Sequence, residues 1–328
     1  MKSEPLVSVV TPVYNGATYL AECIESVLAQ GYRNWEYIIL DNASTDDTGA
    51  IAERYANKDQ RIRVIHNRSL LPIIQNWNAA IHSISAGSMY CKVIHADDLL
   101  LPGCLEAMVQ LAEEHPDVGI VGSYRLYRNT MFGGGLEYPR TVFSGKEICA
   151  RSLLDRSFYV FGSPTTTLVR SSIIHGVDKF YNENVFHADS DACYRYLQDW
   201  NFGFIHQGLT FSRFHSEQQT AFAIRYFTEE ISYITLVIEF GKVYLSEQQY
   251  AQRVRQVLND YYHATADRFL GVGPYKLGDK KGYIKWHDKE LRRVGYFFDR
   301  RRLFLAILRN LLGYAVNPGR TVKMMLSR

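Results

Sequence analysis

Short apolar runs rich in β-branched residues recur along the first third of the chain: "LVSVV" at 6–10, "EYIIL" at 36–40, "IRVIH" at 62–66, "MYCKVI" at 89–94 and "VGIVG" at 118–122. Between them, apolar residues repeat at helical spacing. Leu20, Cys23, Ile24, Val27 and Leu28 share one face of the first such stretch. The second opens with "STDD", where Ser44 and Asp47 stand at capping-box spacing, and the third carries Ile74, Trp77, Ile81 and Ile84. Continuous apolar strands that alternate with amphipathic helices predict an α/β fold: a Rossmann-like, mostly parallel sheet flanked by helices on both faces.

The pattern changes twice further on. Over residues 123–216, "FGGGLEYP" and "VFGSPTTTLV" read as loops and strands, followed by the helical "DSDACYRYLQDW". The "GGG" at 133–135 reads as a loop and not a phosphate cradle, because no strand and helix frame it. From about Glu217 the periodicity turns helical. The expected organisation is an α/β domain over 1–220, with halves at 1–122 and 123–220, and a mainly helical region over 221–328.

A chain of 328 residues with 47% hydrophobic composition buries a full core. Its net charge of +3 hides an asymmetry: from Arg268 to Arg328 there are 15 Lys/Arg against 4 Asp/Glu, a local +11 that leaves −8 on the rest. A basic tail on an acidic body points to a surface or polyanion as partner for the tail. In "DRRRLFLAILRNLLGYAVNPGRTVKMMLSR" three arginines precede an apolar helix broken by Arg309 and Asn310. That segment either lies in an anionic membrane interface or packs as a C-terminal helix on the body or on a second subunit. The five cysteines are dispersed and form no CxxC, which reads as reduced thiols of a cytoplasmic protein. Glu4 and the short apolar run near the start predict no signal peptide. No window reaches the ~18 apolar residues of a membrane span.

Ligands of open parallel sheets bind beyond the carboxyl ends of the strands. The polar residues fall there: "TPVYNG" follows the first strand, "DNASTDDT" the second, "HNRS" the third and "HADD" the fourth. Asp41 is placed to accept hydrogen bonds from a base or ribose, Arg68 to pair with phosphate or carbonyl oxygen, and Tyr14 to offer an aromatic face. The adjacent carboxylates Asp97 and Asp98 either cap the following helix or hold a hard cation such as Mg²⁺ or Mn²⁺. A GxGxxG after the first strand is absent, which excludes a Rossmann dehydrogenase, and no Gly-rich basic loop of a sugar nucleotidyltransferase stands there.

"VSVVTPVYNGATYLAECIESVLAQGYRNWEYIILDNASTDDT" together with "HADD" resembles the nucleotide-sugar-binding half of family 2 glycosyltransferases of the GT-A fold. The resemblance is strong over about residues 6–125 and weaker to about 220. It implies an inverting transfer of a sugar from a nucleoside-diphosphate sugar, foremost a UDP-sugar, to an acceptor hydroxyl, with Mg²⁺ or Mn²⁺ as cofactor. The implied donor-binding set is Thr11, Pro12, Val13, Tyr14, Asn15, Asp41, Asn42, Ser44, Arg68, Asn76, His95, Ala96, Asp97 and Arg213. The family's Asp-x-Asp motif aligns with His95-Ala96-Asp97, so His95 replaces its first Asp. Asp97 is then the direct metal ligand, with Asp98 and His215 beside it. "FHADSDACYRYL" aligns with the acidic motif that supplies the catalytic base and makes Asp189 that base, with Asp191 as the competing candidate. The acceptor is expected to be a glycan or lipid-linked saccharide of bacterial surface polysaccharide, at the inner face of the plasma membrane. No nucleic-acid partner is expected, and the oligomeric state stays open. The departures at His95 and Ala188 leave a non-catalytic nucleotide-sugar or glycan-binding protein of the same fold as the alternative.

Overall fold

The computed structural model describes residues 4–213, 223, 226–272 and 277–316. The chain divides into two compact units, residues 1–215 and 216–328.

The first unit is built on a ten-stranded sheet. Four strands run parallel in the order β3 (Ile62–His66), β2 (Trp35–Asp41), β1 (Val7–Val13), β4 (Tyr90–Val93). Next to β4 lies β9 (Thr167–Arg170), antiparallel to it and to β6 (Val118–Tyr127). Beyond β6 come the parallel β10 (Asn201–Ser212) and the antiparallel β5 (Leu99–Leu100). Two short strands complete it: β7 (Thr130–Phe132) pairs with β6, and β8 (Val142–Phe143) with β10. The fold is thus a mixed α/β sheet in which the segment predicted at 118–122 does not neighbour β4; β9 stands between them.

Both faces are covered. Val7, Val9 and Val13 of β1 pack on Leu20, Cys23, Ile24 and Val27 of α1 (Ala17–Leu28), with Ala52 of α2 (Thr48–Ala56) and Met108 of α4 (Cys104–Glu114) in the same cluster. Val10, Ile38 and Leu40 point the other way, toward Ala80 and Ile81 of α3 (Ile73–Ile81). That cluster also takes in Ile173 of α6 (Ser171–His175) and Ala188 and Ala192 of α7 (Ala188–Tyr196). Alternate residues of a strand point to opposite faces, so a strand buried on both sides is mostly apolar, with any polar side chain hydrogen-bonded; every residue of β1 is buried, and its Ser8 and Thr11 hydroxyls are bonded. Helix α5 (Gly145–Leu154) lies in the more irregular second half.

The second unit comprises α8 (Thr228–Tyr244), α9 (Glu247–Leu270), α10 (Lys280–Arg293) and α11 (Arg300–Val316). Ser246 and Gln249 close a capping box at the start of α9. Inside the unit, His287 meets the Tyr261 hydroxyl through Nδ1 and the Tyr226 carbonyl through Nε2, both at 2.7 Å. The Tyr283 ring stacks on it with centroids 3.7 Å apart, and Arg268 pairs with Glu230. Burial drives the His287 pKa down to about 3, so the imidazole is neutral. No helix among the described residues is long and apolar enough to cross a membrane.

Candidate active site

The turn after β4 carries the densest chemistry of the sheet rim. Asp98 N donates to His95 O at 3.0 Å, closing the turn, and ligand atoms of His95, Asp97 and Asp98 all lie within 4.8 Å of one another. Asp98 is buried. Burial, reinforced by Asp97, pushes its carboxyl above the usual carboxylate range, while His95 and hydrogen bonding from Thr165 pull it back. The Thr165 hydroxyl donates to Asp98 Oδ2 at 2.7 Å and accepts from His95 N at 3.1 Å. Helix α4 starts after Gly103, so neither aspartate caps it.

Two carboxylates and an imidazole that converge at the end of a strand form a donor set for a divalent cation. His95 stacks on Trp77 with centroids 5.0 Å apart, and its buried Nε2 has no hydrogen-bond partner among the described residues. The two carboxylates are the donors that suit Mn²⁺ or Mg²⁺, and the imidazole in the same turn offers a further nitrogen donor. His215, the remaining predicted ligand, lies outside the described residues.

Beneath this turn sits a fully buried lysine. Lys92 Nζ donates to the carbonyls of Thr165 and Thr167 at 2.5 and 3.1 Å, and burial lowers its pKa. Both carbonyls flank the start of β9, so Lys92 fixes the backbone from which Thr165 reaches Asp98. Thr165 is absent from the sequence-derived site. Lys92 had a visible signal, a lysine inside an apolar strand, which requires either a bulge or a buried cation.

The loops after β1 and β2 are laced together. Asn15 N donates to Ser44 Oγ at 2.9 Å, Thr45 N to Asn15 Oδ1 at 2.8 Å, and Gly16 N to Thr48 Oγ1 at 2.8 Å. The capping box expected of Ser44 and Asp47 therefore does not form: Asp47 makes no side-chain cap, and the Ser44 hydroxyl serves the neighbouring loop. Asn15 and Ala43 are left-handed, at φ 50° and 57°; asparagine tolerates that region, whereas at Ala43 it costs roughly 1–2 kcal/mol. A Cβ at Gly16 would come 2.6 Å from Val13 Cγ2 and 3.3 Å from the Ala96 Cβ, so glycine lets the first loop close against the turn that carries His95, Asp97 and Asp98.

The other predicted donor contacts divide into buried and open groups. Thr11, Pro12 and Val13 are buried; the Thr11 hydroxyl lies 2.8 Å from Tyr37 Oη and donates to Ile94 O at 2.9 Å. Asn42 Oδ1 accepts from Leu71 N and Asn67 Nδ2 at 2.9 and 2.8 Å, and Asn67 Nδ2 also reaches Asn76 Oδ1 at 3.0 Å. Asn42 and Asn76 thus hold the loop after β3. Tyr14 and Arg68 are exposed. Arg213 lies over the Tyr19 ring and pairs with Glu22 of α1.

Asp41 is buried at the end of β2, with Oδ1 accepting from Ser44 N at 3.1 Å. Its Oδ2 lies 3.0 Å from His66 Nδ1, and His66 Nε2 lies 3.0 Å from Glu53 Oε1. Glu53 first, then Asp41, raise the His66 pKa above the ordinary imidazole value. The sequence placed His66 in a polar cluster but showed neither partner.

The two base candidates in α7 differ. Asp191 is buried and held by Arg195, whose Nη2 lies 2.9 Å from Oδ2. Asp189 in the same first turn is half-buried, with Oδ1 accepting from Ser190 N at 2.9 Å. A small cavity lined by Phe161, Pro164, Phe180 and Tyr181 opens beside it. The Tyr159 hydroxyl lies 2.9 Å from Ser190 Oγ, so the segment from Tyr159 to Thr165 touches the Asp189 helix at one end and Asp98 at the other.

Comparison with known proteins gives the site its context. The chain is 29% identical over 211 residues to glycosyltransferase GlyG of Streptococcus pneumoniae serotype 4, which covers 62% of this chain and 69% of that protein. It is 46% identical over 111 residues to TuaG of Bacillus subtilis, a glycosyltransferase named for teichuronic acid biosynthesis, covering 34% of this chain and 43% of that one. The crystal structure of S. aureus TarS 1-349 in complex with UDP-GlcNAc superposes with a TM-score of 0.63 at 17% identity, over 95% of this chain and 87% of that one; at that identity the likeness shows the GT-A fold. The family model for glycosyl transferase family 2 matches residues 8–175, more than half of the chain. The chain belongs to glycosyl transferase family 2, and it is a glycosyltransferase.

Proposed function

We propose that the chain transfers a sugar from a UDP-sugar to the hydroxyl of a glycan or lipid-linked saccharide, with inversion at the anomeric carbon, in bacterial cell-surface polysaccharide synthesis. The observation that carries this reading is the convergence of His95, Asp97 and Asp98 at the strand ends. The UDP-GlcNAc complex of TarS supports a uridine donor, and TuaG supports the polysaccharide setting.

Asp189 accepts the proton of the acceptor hydroxyl as its oxygen bonds to the anomeric carbon, because a neutral hydroxyl is a weak nucleophile. Asp191 is unsuited to that role, since Arg195 occupies its oxygens. Asp97 is the direct metal ligand, and Asp98 orients the turn through Thr165. A bound Mn²⁺ or Mg²⁺ supplies positive charge where the departing nucleoside diphosphate gains negative charge. Asp41, Tyr14 and Asn15 receive the base and ribose, and Arg68 the base or diphosphate. The working place is the cytoplasmic face of an anionic membrane, where lipid-linked acceptors reside.

Mn²⁺-dependent hydrolysis across UDP-, GDP- and dTDP-sugars tests the reading. Turnover that requires Mn²⁺ and fails with Asp97→Asn is the expected result. Donor binding without turnover on any sugar, with or without acceptor, contradicts it.

A further inference from the structure

Helix α11 is seated with its apolar face outward. Leu303 and Ala306 are its buried residues, Ile307 is half-buried, and polar bonds add to them: Asn310 Nδ2 donates to His263 O at 3.0 Å and to Asp267 of α9, and the Tyr314 hydroxyl donates to Asp267 Oδ1 at 2.5 Å. At 3.6 residues per turn these five positions span an arc of about 100°. Phe304, Leu305, Leu308, Leu311, Leu312 and Val316 span about 140° on the opposite side. All six are exposed, Phe304 by 59%, Leu312 by 66% and Val316 by 84%. A helix that only completed a core would turn these residues inward, since soluble surfaces rarely leave so continuous an apolar stripe uncovered.

Charge decides what covers it. Arg300, Arg301, Arg302 and Arg309 belong to the helix, and it contains no acid. Arg302 and Arg309 border the apolar arc on the side of Val316, and Arg301 lies within it at the N-terminal end. Pairing with a second copy would oppose two such all-basic helices, which repel. An anionic bilayer takes the apolar side chains into its acyl boundary and the guanidinium groups into its headgroups. The helix is too short and too charged to cross a membrane. We infer that α11 is an interfacial anchor that docks the protein on anionic lipid, with Phe304, Leu308 and Leu312 inserted and Arg301, Arg302 and Arg309 on the phosphates.

The inference deepens the membrane setting of the proposed function, yet its test needs neither donor nor acceptor, so each can fail alone. The full chain is sedimented with phosphatidylglycerol/phosphatidylcholine vesicles and with phosphatidylcholine vesicles. The expected result is binding to the anionic vesicles, weakened by salt. Arg301→Gln with Arg309→Gln lowers affinity roughly 10–30-fold, and Leu308→Asn with Leu312→Asn abolishes it. These residues are exposed, so both variants keep the melting temperature of the parent. Equal binding by parent and variants overturns the inference, as does no binding to anionic vesicles. Self-association in light scattering that the Leu308/Leu312 variant abolishes, without vesicle binding, overturns it in favour of a second copy.

Discussion

Thr165 and Asp98, 67 residues apart in sequence, are joined by a 2.7 Å hydrogen bond between the threonine hydroxyl and Oδ2. The same hydroxyl accepts from His95 N, so one side chain sets both the carboxylate and the backbone of the turn proposed to hold the metal. Partners that orient metal ligands are worth about 10–100-fold in metal affinity. Thr165→Val keeps the shape and removes both bonds. Its apparent Mn²⁺ requirement is expected to rise by about that factor, read from turnover against Mn²⁺ concentration; Thr165→Ser restores it.

Asp189 and Asp191 separate cleanly by measurement. Asp189→Asn is expected to lower turnover by about 10²–10⁴ with donor KM nearly unchanged, because its role begins with the acceptor proton. Asp191→Asn breaks the pair with Arg195 and is expected to cost about 1–3 kcal/mol of stability, read from urea unfolding. Full turnover by the Asp189 variant would rule out Asp189 as the base.

His66 links the state of Asp41 to pH. Its pKa is raised in the folded protein by Glu53 and Asp41, so the folded state holds the proton more tightly than the unfolded one. The stabilisation is complete below the ordinary imidazole value of about 6.5 and is lost as pH rises through the higher folded value. Thermal unfolding across that window shows a decline in the parent and a flatter profile in His66→Gln. Donor affinity follows the same decline if His66 steadies Asp41 for the base.

His287 carries the opposite sign. Burial holds its pKa at about 3, so protons favour the unfolded chain. Stability of the helical unit is present above about pH 6.5 and falls as pH drops from there toward 3. Loss of helical signal in acid should move to lower pH in His287→Gln, provided the amide keeps the bond to Tyr226 O.

The parallel core was legible because β1, β2 and β4 are buried on both faces and read as mostly apolar runs, with Ser8, Thr11, Glu36 and Lys92 among the polar exceptions. The same reasoning located the rim residues, since the segments that leave the ends of parallel strands must gather at one edge. The insertion of β9 between β4 and β6 left no local trace: pairing partners far apart in sequence have no period to read. The role of Ser44 was misjudged for a related reason. Its spacing to Asp47 fits a cap, but Asn15 N, 29 positions away, claims the hydroxyl. Thr165 was hidden in a segment that reads only as loop and strand, and its importance comes from a buried lysine beneath it. The outward apolar face of α11 was visible as a tension between arginines and leucines, while the polar face that seats it needed Asp267 and His263 in place.

Titration of Mn²⁺ in the presence of UDP, followed by the loss of the free-ion EPR signal, tests the central assignment most directly. The parent is expected to bind one ion per chain, and Asp97→Asn to bind it at least about tenfold more weakly. Unchanged Mn²⁺ affinity in Asp97→Asn would place the cation away from the turn after β4 and contradict the account.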